Sequence, residues 1–126
     1  MKEKEIELFE KLHAQLEGLY DEISTLSKKS PSDAVNKFKL KFINQILGNL
    51  NEFLKDKYKP FMEFTKFEED DLPTNSDVVL ILSQYLNCME KLRSDNIRID
   101  YGHWVWLVEG KASGIRTAPP KKIKEK

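Results

Sequence analysis

The most restrictive feature of the sequence is the apolar run from Ser76 to Leu92. Its main apolar residues recur at spacings of four, three, four and three, so they share one face of an α-helix. These residues are Val78, Leu82, Tyr85, Met89 and Leu92. Other apolar residues widen this face on both sides, and we therefore expect the helix to contact two or three neighbours. Covering it requires further helices, which predicts a mainly α domain.

Two more helices are predicted upstream. A helix over about residues 3–27 carries apolar residues alternately three and four apart, which is the seam of a helix in an antiparallel bundle. A second helix over about residues 31–57 is predicted to begin at Ser30-Pro31-Ser32-Asp33, with Ser30 as N-cap and Asp33 closing a capping box. The third helix spans about residues 75–95, and Thr74 and Asp77 form its capping box. The short connection between the first two helices predicts that they lie antiparallel, and we expect an up-down-up three-helix bundle.

The second helix has an unusually wide apolar face. Two neighbouring stripes run along it, formed by Val35, Phe38, Phe42, Ile46, Leu50 and Phe53 and by Leu40, Ile43, Leu47 and Leu54. Covering both stripes needs a helix on each side. An apolar face wider than its neighbours can cover is typical of an interaction surface.

An aromatic connection follows at residues 58–75. Phe61, Phe64 and Phe67 are three apart, which predicts a short helical turn packed over the end of the bundle. After the third helix, alternation over residues 97–101, an apolar run over residues 104–108 and a last segment at residues 115–117 predict a small β-hairpin or strand element. The sequence therefore predicts one domain over residues 1–117 and a basic, disordered tail over residues 118–126.

Composition narrows the functional classes. Lys plus Arg and Asp plus Glu are 21 each, so no net field attracts nucleic acid or membrane. The single cysteine excludes an internal disulfide, and together with the absence of a signal peptide or membrane-spanning run it predicts a cytoplasmic protein. His13 and Cys88 lie beside apolar seams and are interpreted as packing residues. The chain contains no phosphate-binding, dinucleotide, metalloprotease or nucleophile motif, so we expect no cofactor, no metal and no enzymatic activity.

The leading functional hypothesis is an interaction or scaffold module that binds a protein partner or a second copy of itself. The alternative is an accessory nucleic-acid-binding protein, because the C-terminal segment combines stacking and phosphate-binding side chains. The candidate residues for partner or nucleic-acid binding are Arg98, Trp104, Trp106, Lys111, Arg116, Lys121 and Lys122.

A third hypothesis rests on Arg98-Ile99-Asp100-Tyr101-Gly102-His103. An Arg followed after four intervening residues by a His resembles the RNase motif of HEPN domains, which are small helical bundles. The resemblance implies that Arg98 and His103 would be catalytic residues in RNA cleavage, with the histidine assisting proton transfer.

Overall fold

Three helices and a three-stranded antiparallel sheet make up the structure, a computed structural model that describes residues 1–121. The helices are α1 (Glu3–Lys29), α2 (Lys37–Tyr58) and α3 (Asn75–Asp95), and the strands are β1 (Ile97–Asp100), β2 (His103–Val108) and β3 (Lys111–Arg116). The mainly helical fold with a small β element is as predicted. Residues 122–126 of the predicted tail lie outside the described residues.

Helix α3 lies at the centre of the fold. It packs most extensively on α1 and also contacts α2 and β1. The side chains that defined its apolar face in the sequence are almost completely buried, with exposed fractions from 0 % to 6 %. The predicted capping box is present: Thr74 N–H donates to Asp77 Oδ2 at 3.0 Å, and Asp77 N–H donates to Thr74 Oγ1 at 3.2 Å. Local sequence therefore fixes where this helix begins.

The predicted start of the second helix at residue 31 is wrong. Helix α2 begins at Lys37, and its N-cap is Asn36, whose side chain accepts a hydrogen bond from Lys39 N–H at 2.8 Å. The segment before it pairs instead with the start of α3, where Val35 N–H donates to Pro73 O at 2.9 Å and Asn75 N–H donates to Asp33 O at 2.9 Å. These long-range hydrogen bonds compete with the local cap and lengthen the connection between α1 and α2.

The aromatic side chains between α2 and α3 pack against the core without the predicted helical turn at Phe61–Phe67. The helical turn of this connection is a 3₁₀ turn at Glu69–Asp71. Two asparagines of α2 hold the connection in place. Asn44 exchanges two hydrogen bonds of 2.9 Å with the backbone of Phe67, and Asn51 Nδ2 donates to Thr65 O at 3.1 Å. Side-chain to backbone hydrogen bonds thus replace the helical ones.

The strands follow in the order β1-β2-β3. Each hairpin turn has two residues with positive φ, Tyr101-Gly102 and Glu109-Gly110, as type I′ turns require. A non-glycine residue in this region costs about 1–2 kcal/mol. The third strand is longer than predicted, because Ser113 and Gly114 lie within β3 beside an irregularity in its register with β2.

One face of the sheet packs on the helices. Ile97 pairs with Trp106, and the Trp106 ring lies edge-on to Phe9 of α1 with 4.9 Å between the ring centroids. Trp106 is completely buried. Among the described residues, no helix combines the length and the apolar character needed to cross a membrane.

Candidate functional site

Arg98 and Arg116 lie in one row on the outer face of the sheet. Both pair with Val105, Arg98 from β1 and Arg116 from β3. Val105 is only 5 % exposed although it faces away from the helices and is not part of the helical core. Both arginine side chains are exposed. Within residues 1–121, neither guanidinium takes part in an ion pair.

His103 and Tyr101 lie at the tip of the first hairpin. His103 is exposed on the same outer face and pairs with Asp100, and Tyr101 is 95 % exposed in the turn. Arg98 and His103 thus sit on two neighbouring strands, whereas the HEPN motif belongs in a helix. The geometry adds nothing to that resemblance.

The other candidate residues from the sequence are dispersed. Trp104 and Trp106 face the helices, and Trp106 presents no surface on which a base can stack. Lys111 is exposed at the start of β3. Lys121 lies against α1, where its Nζ is 3.0 Å from Glu17 Oε2. Lys122 lies outside the described residues. The structure therefore brings together only Arg98 and Arg116 of this set.

A groove on the first turns of α2 was not singled out from the sequence. It has a volume of about 520 Å³ and is lined by Lys37, Phe38, Leu40, Lys41, Asn44, Lys66 and Glu69. Phe38 lines the groove and is 72 % exposed. Phe42 lies beside the groove, is 44 % exposed, and meets the Phe38 ring edge to face at 5.0 Å between centroids. Leu40 forms the buried side. Helix α2 thus buries the stripe of Leu40, Ile43, Leu47 and Leu54 and leaves Phe38 and Phe42 of the other stripe exposed.

The rim of this groove is basic. Lys37 forms an exposed ion pair with Glu69, with 3.3 Å between Nζ and Oε1. Lys41 and Lys66 are exposed and take part in no ion pair within the described part of the chain. Lys66 is positioned by the hydrogen bonds of Asn44 to the adjacent Phe67. The groove therefore combines exposed aromatic surface with unneutralised positive charge.

A second arrangement absent from the sequence analysis is a buried charge cluster between α1 and α3. His13 Nε2 is 3.1 Å from Glu90 Oε2, and His13 Nδ1 is 3.3 Å from Glu17 Oε1. Glu90 Oε1 accepts a hydrogen bond from Arg93 Nη1 at 3.1 Å. Arg93 also lies 3.6 Å from Glu10.

Residues near the C-terminal end of the described chain cover this cluster. The Lys121 backbone N–H donates to Glu90 Oε1 at 3.4 Å, and Thr117 Oγ1 donates to Glu10 Oε1 at 3.4 Å. Partial burial opposes ionisation of Glu17, but the hydrogen bond from Lys121 and the positive charges of His13, Lys121 and Arg93 together hold its pKa below the ordinary value. The charges of the cluster are paired within the chain, which is typical of a structural ion-pair network, but Arg93 Nε is a buried donor without a hydrogen-bond partner among the described residues.

Neither metal chemistry nor a reactive thiol stands out. Within residues 1–121, no group of three or more His, Cys, Asp or Glu side chains is arranged to hold a metal ion. Cys88 is half-buried against the core, and burial raises the pKa of its thiol, which keeps it protonated near neutral pH.

Comparisons with protein-family models, with curated proteins and with solved structures give no match for this chain. Function must therefore be argued from the surfaces themselves.

Proposed function

We propose that this protein is a non-enzymatic interaction module that binds a protein partner through the groove on the first turns of α2. The observation that carries the proposal is the exposed pair of Phe38 and Phe42, whose rings meet edge to face. Two large aromatic side chains in water are costly unless something covers them, and aromatic residues are enriched where partners bind. The proposal includes an up-down-up order of the three helices closed by the aromatic connection, and a cytoplasmic location.

Charge indicates which kind of partner fits. Lys41 and Lys66 border the groove without a carboxylate partner among the described residues, and Lys37 shares its charge with Glu69. The complementary ligand is a protein segment that carries large apolar side chains and carboxylates. An amphipathic helix laid along α2 satisfies both requirements, since its apolar face covers the phenylalanines and its acidic edge meets the lysines.

Selection from a displayed library of random peptides tests this proposal. We expect the enriched peptides to combine acidic residues with aromatic or long aliphatic residues, and to bind the double variant Phe38→Ala/Phe42→Ala at least about tenfold more weakly, the loss typical of interface hot spots. Peptides that bind this variant as well as the wild type would place the interaction surface elsewhere. A matched control is Leu8→Ala, because Leu8 is 44 % exposed on α1, outside the groove.

A second copy of this chain is the other protein partner to consider. Sedimentation equilibrium across a range of concentrations separates the two cases. If the wild type self-associates and Phe38→Ala/Phe42→Ala does not, the groove is the interface of a homodimer. If the wild type is monomeric, the partner that binds the groove is a different protein.

A further inference from the structure

We propose that the outer face of the sheet binds a single-stranded nucleic acid, with Arg98 and Arg116 contacting phosphates and Tyr101 stacking on a base. This site is separate from the groove on α2 and independent of the protein partner proposed for it.

The first observation is the arginine row. Arg98 and Arg116 flank Val105 on two sides, on the face of the sheet opposite to that of Trp106. Both arginine side chains are exposed, so their guanidinium groups are accessible to a ligand. The two residues are separated by two strand spacings, roughly 10 Å. Two phosphates of one extended strand can therefore be contacted at the same time.

The second observation is that these charges are unneutralised. The chain has as many acidic as basic residues, yet neither Arg98 nor Arg116 forms an ion pair within residues 1–121. Arg93 differs from them, since it is buried against two glutamates. Guanidinium groups with free donors bind phosphate oxygens in a bidentate manner. A phosphodiester backbone is the ligand that offers such oxygens in series.

The third observation is the aromatic residue at the hairpin tip. Tyr101 is 95 % exposed and adopts φ 48°, a region in which asparagine, aspartate or glycine is preferred in this type of turn. Its ring is not used for packing. Nucleobases stack on exposed rings of this kind with little regard to sequence, and basic side chains beside them hold the backbone. The exposed imidazole of His103 adds a further stacking surface next to it.

The test is fluorescence anisotropy with labelled oligouridylate and oligothymidylate of about 12 nucleotides, within the usual range of single-strand sites. Salt is varied between about 50 and 200 mM. We expect both oligonucleotides to bind within about threefold of each other, because the contacts are to phosphates and base faces. Arg98→Gln/Arg116→Gln is expected to reduce the slope of log affinity against log salt by about 1.4, which is about 0.7 for each lost phosphate contact.

Tyr101→Asn separates binding from folding. Asparagine suits the turn better, so this variant is expected to raise Tm by about 2–4 °C. The same variant should bind the oligonucleotides at least about fivefold more weakly, because a stacking contact is lost. If the double arginine variant fails to fold by circular dichroism, the more stable Tyr101→Asn variant still decides the question.

The matched control is Lys28→Gln/Lys29→Gln, which removes the same charge at the far end of α1. This variant should change the affinity by less than about twofold, because charges beyond the Debye length are screened. Four results would overturn the proposal: no binding at about 100 μM protein, unchanged binding by the Arg98→Gln/Arg116→Gln variant, an equal loss in the lysine control, or binding of oligouridylate alone.

Discussion

Two regions of the molecule invert the usual rule that charged side chains are exposed and apolar ones buried. One is the interface between α1 and α3, and the other is the first turns of α2. At the first, Glu90 and Arg93 are charged yet only 3 % exposed each. At the second, Phe38 and Phe42 are apolar yet 72 % and 44 % exposed. The difference lies in their partners. The buried charges neutralise one another at 3.1 Å, whereas the exposed rings contact each other and still leave most of Phe38 and nearly half of Phe42 in water. Charges that are paired within the chain are typical of a structural role, whereas exposed rings that the chain does not cover indicate a partner outside it.

The largest expected effect concerns the buried side of this comparison. Arg93→Leu removes the guanidinium that pairs with buried Glu90 and leaves His13 as the remaining ion-pair partner of Glu90 among the described residues. Breaking a buried pair in this way costs about 3–5 kcal/mol. Urea unfolding at pH 7 measures the loss. The control is Arg98→Leu, because Arg98 is exposed and unpaired within residues 1–121, and a change there should stay within about 0.5 kcal/mol. Equal effects of the two variants would contradict a structural role for the cluster.

An intermediate effect on stability is expected for Asn44, which connects α2 to the segment that carries Lys66. Asn44→Ala removes two hydrogen bonds to the backbone of Phe67, with an expected loss of about 1–2 kcal/mol in the free energy of unfolding. It also releases the segment that carries Lys66, so affinity for an acidic peptide should fall. Hydrogen exchange at the Phe67 amide provides the local measurement. An unchanged exchange rate would show that Asn44 does not hold the connection.

A smaller effect on stability is expected for Lys121, which pairs with Glu17 at the edge of the buried charge cluster. Lys121→Ala removes an exposed ion pair, which changes stability by about 0.2–1 kcal/mol. It should raise the pKa of Glu17, because the hydrogen bond and charge of Lys121 hold that pKa low. A carboxyl whose pKa is lower in the folded protein stabilises the fold above its unfolded value, and this contribution disappears as pH falls through the folded pKa.

Carbon-13 NMR titration of the Glu17 carboxyl follows this change directly. The wild-type protein should titrate at a lower pH than the Lys121→Ala variant. Identical titration curves would mean that Lys121 does not rest on the cluster.

The smallest effect at neutral pH concerns the contact between the ends of α2 and α3. Partial burial, together with a 2.7 Å hydrogen bond to the Asp95 carboxylate and its negative charge, raises the pKa of Tyr58 to about 12. The folded state therefore favours the neutral phenol. This contribution is complete below about pH 10 and is lost as pH rises toward the folded value. Ultraviolet titration of Tyr58→Phe should show the loss of a late-titrating tyrosine, and loss of one that titrates near pH 10 would be inconsistent with the contact.

Local patterns sufficed to predict the helical fold. The apolar periodicity located α3, and the pair Thr74/Asp77 identified its first turn, because a capping box depends only on residues three apart. The same kind of reasoning failed at Ser30 to Asp33, where hydrogen bonds to residues 73–76 replace the local cap. It also placed the start of the third strand too late, at residue 115, because pairing with β2 accommodates Ser113 and Gly114 within β3.

The candidate sites were less predictable than the fold. His13 and Glu90 are 77 residues apart in the chain, and no local pattern brings them together. The width of the apolar face on α2 did indicate uncovered surface. It did not identify Phe38 and Phe42, because which stripe faces inward depends on where α1 and α3 pack. The pairing of Arg98 and Arg116 across Val105 likewise follows from strand register.

The central claim, that the exposed phenylalanines serve binding and not folding, is tested most directly by measuring both properties on Phe38→Ser/Phe42→Ser. We predict that the free energy of unfolding changes by less than about 0.5 kcal/mol per substitution, as for other surface sites, while affinity for the selected acidic peptide falls at least about tenfold. A loss of several kcal/mol in stability with unchanged peptide affinity would contradict the account.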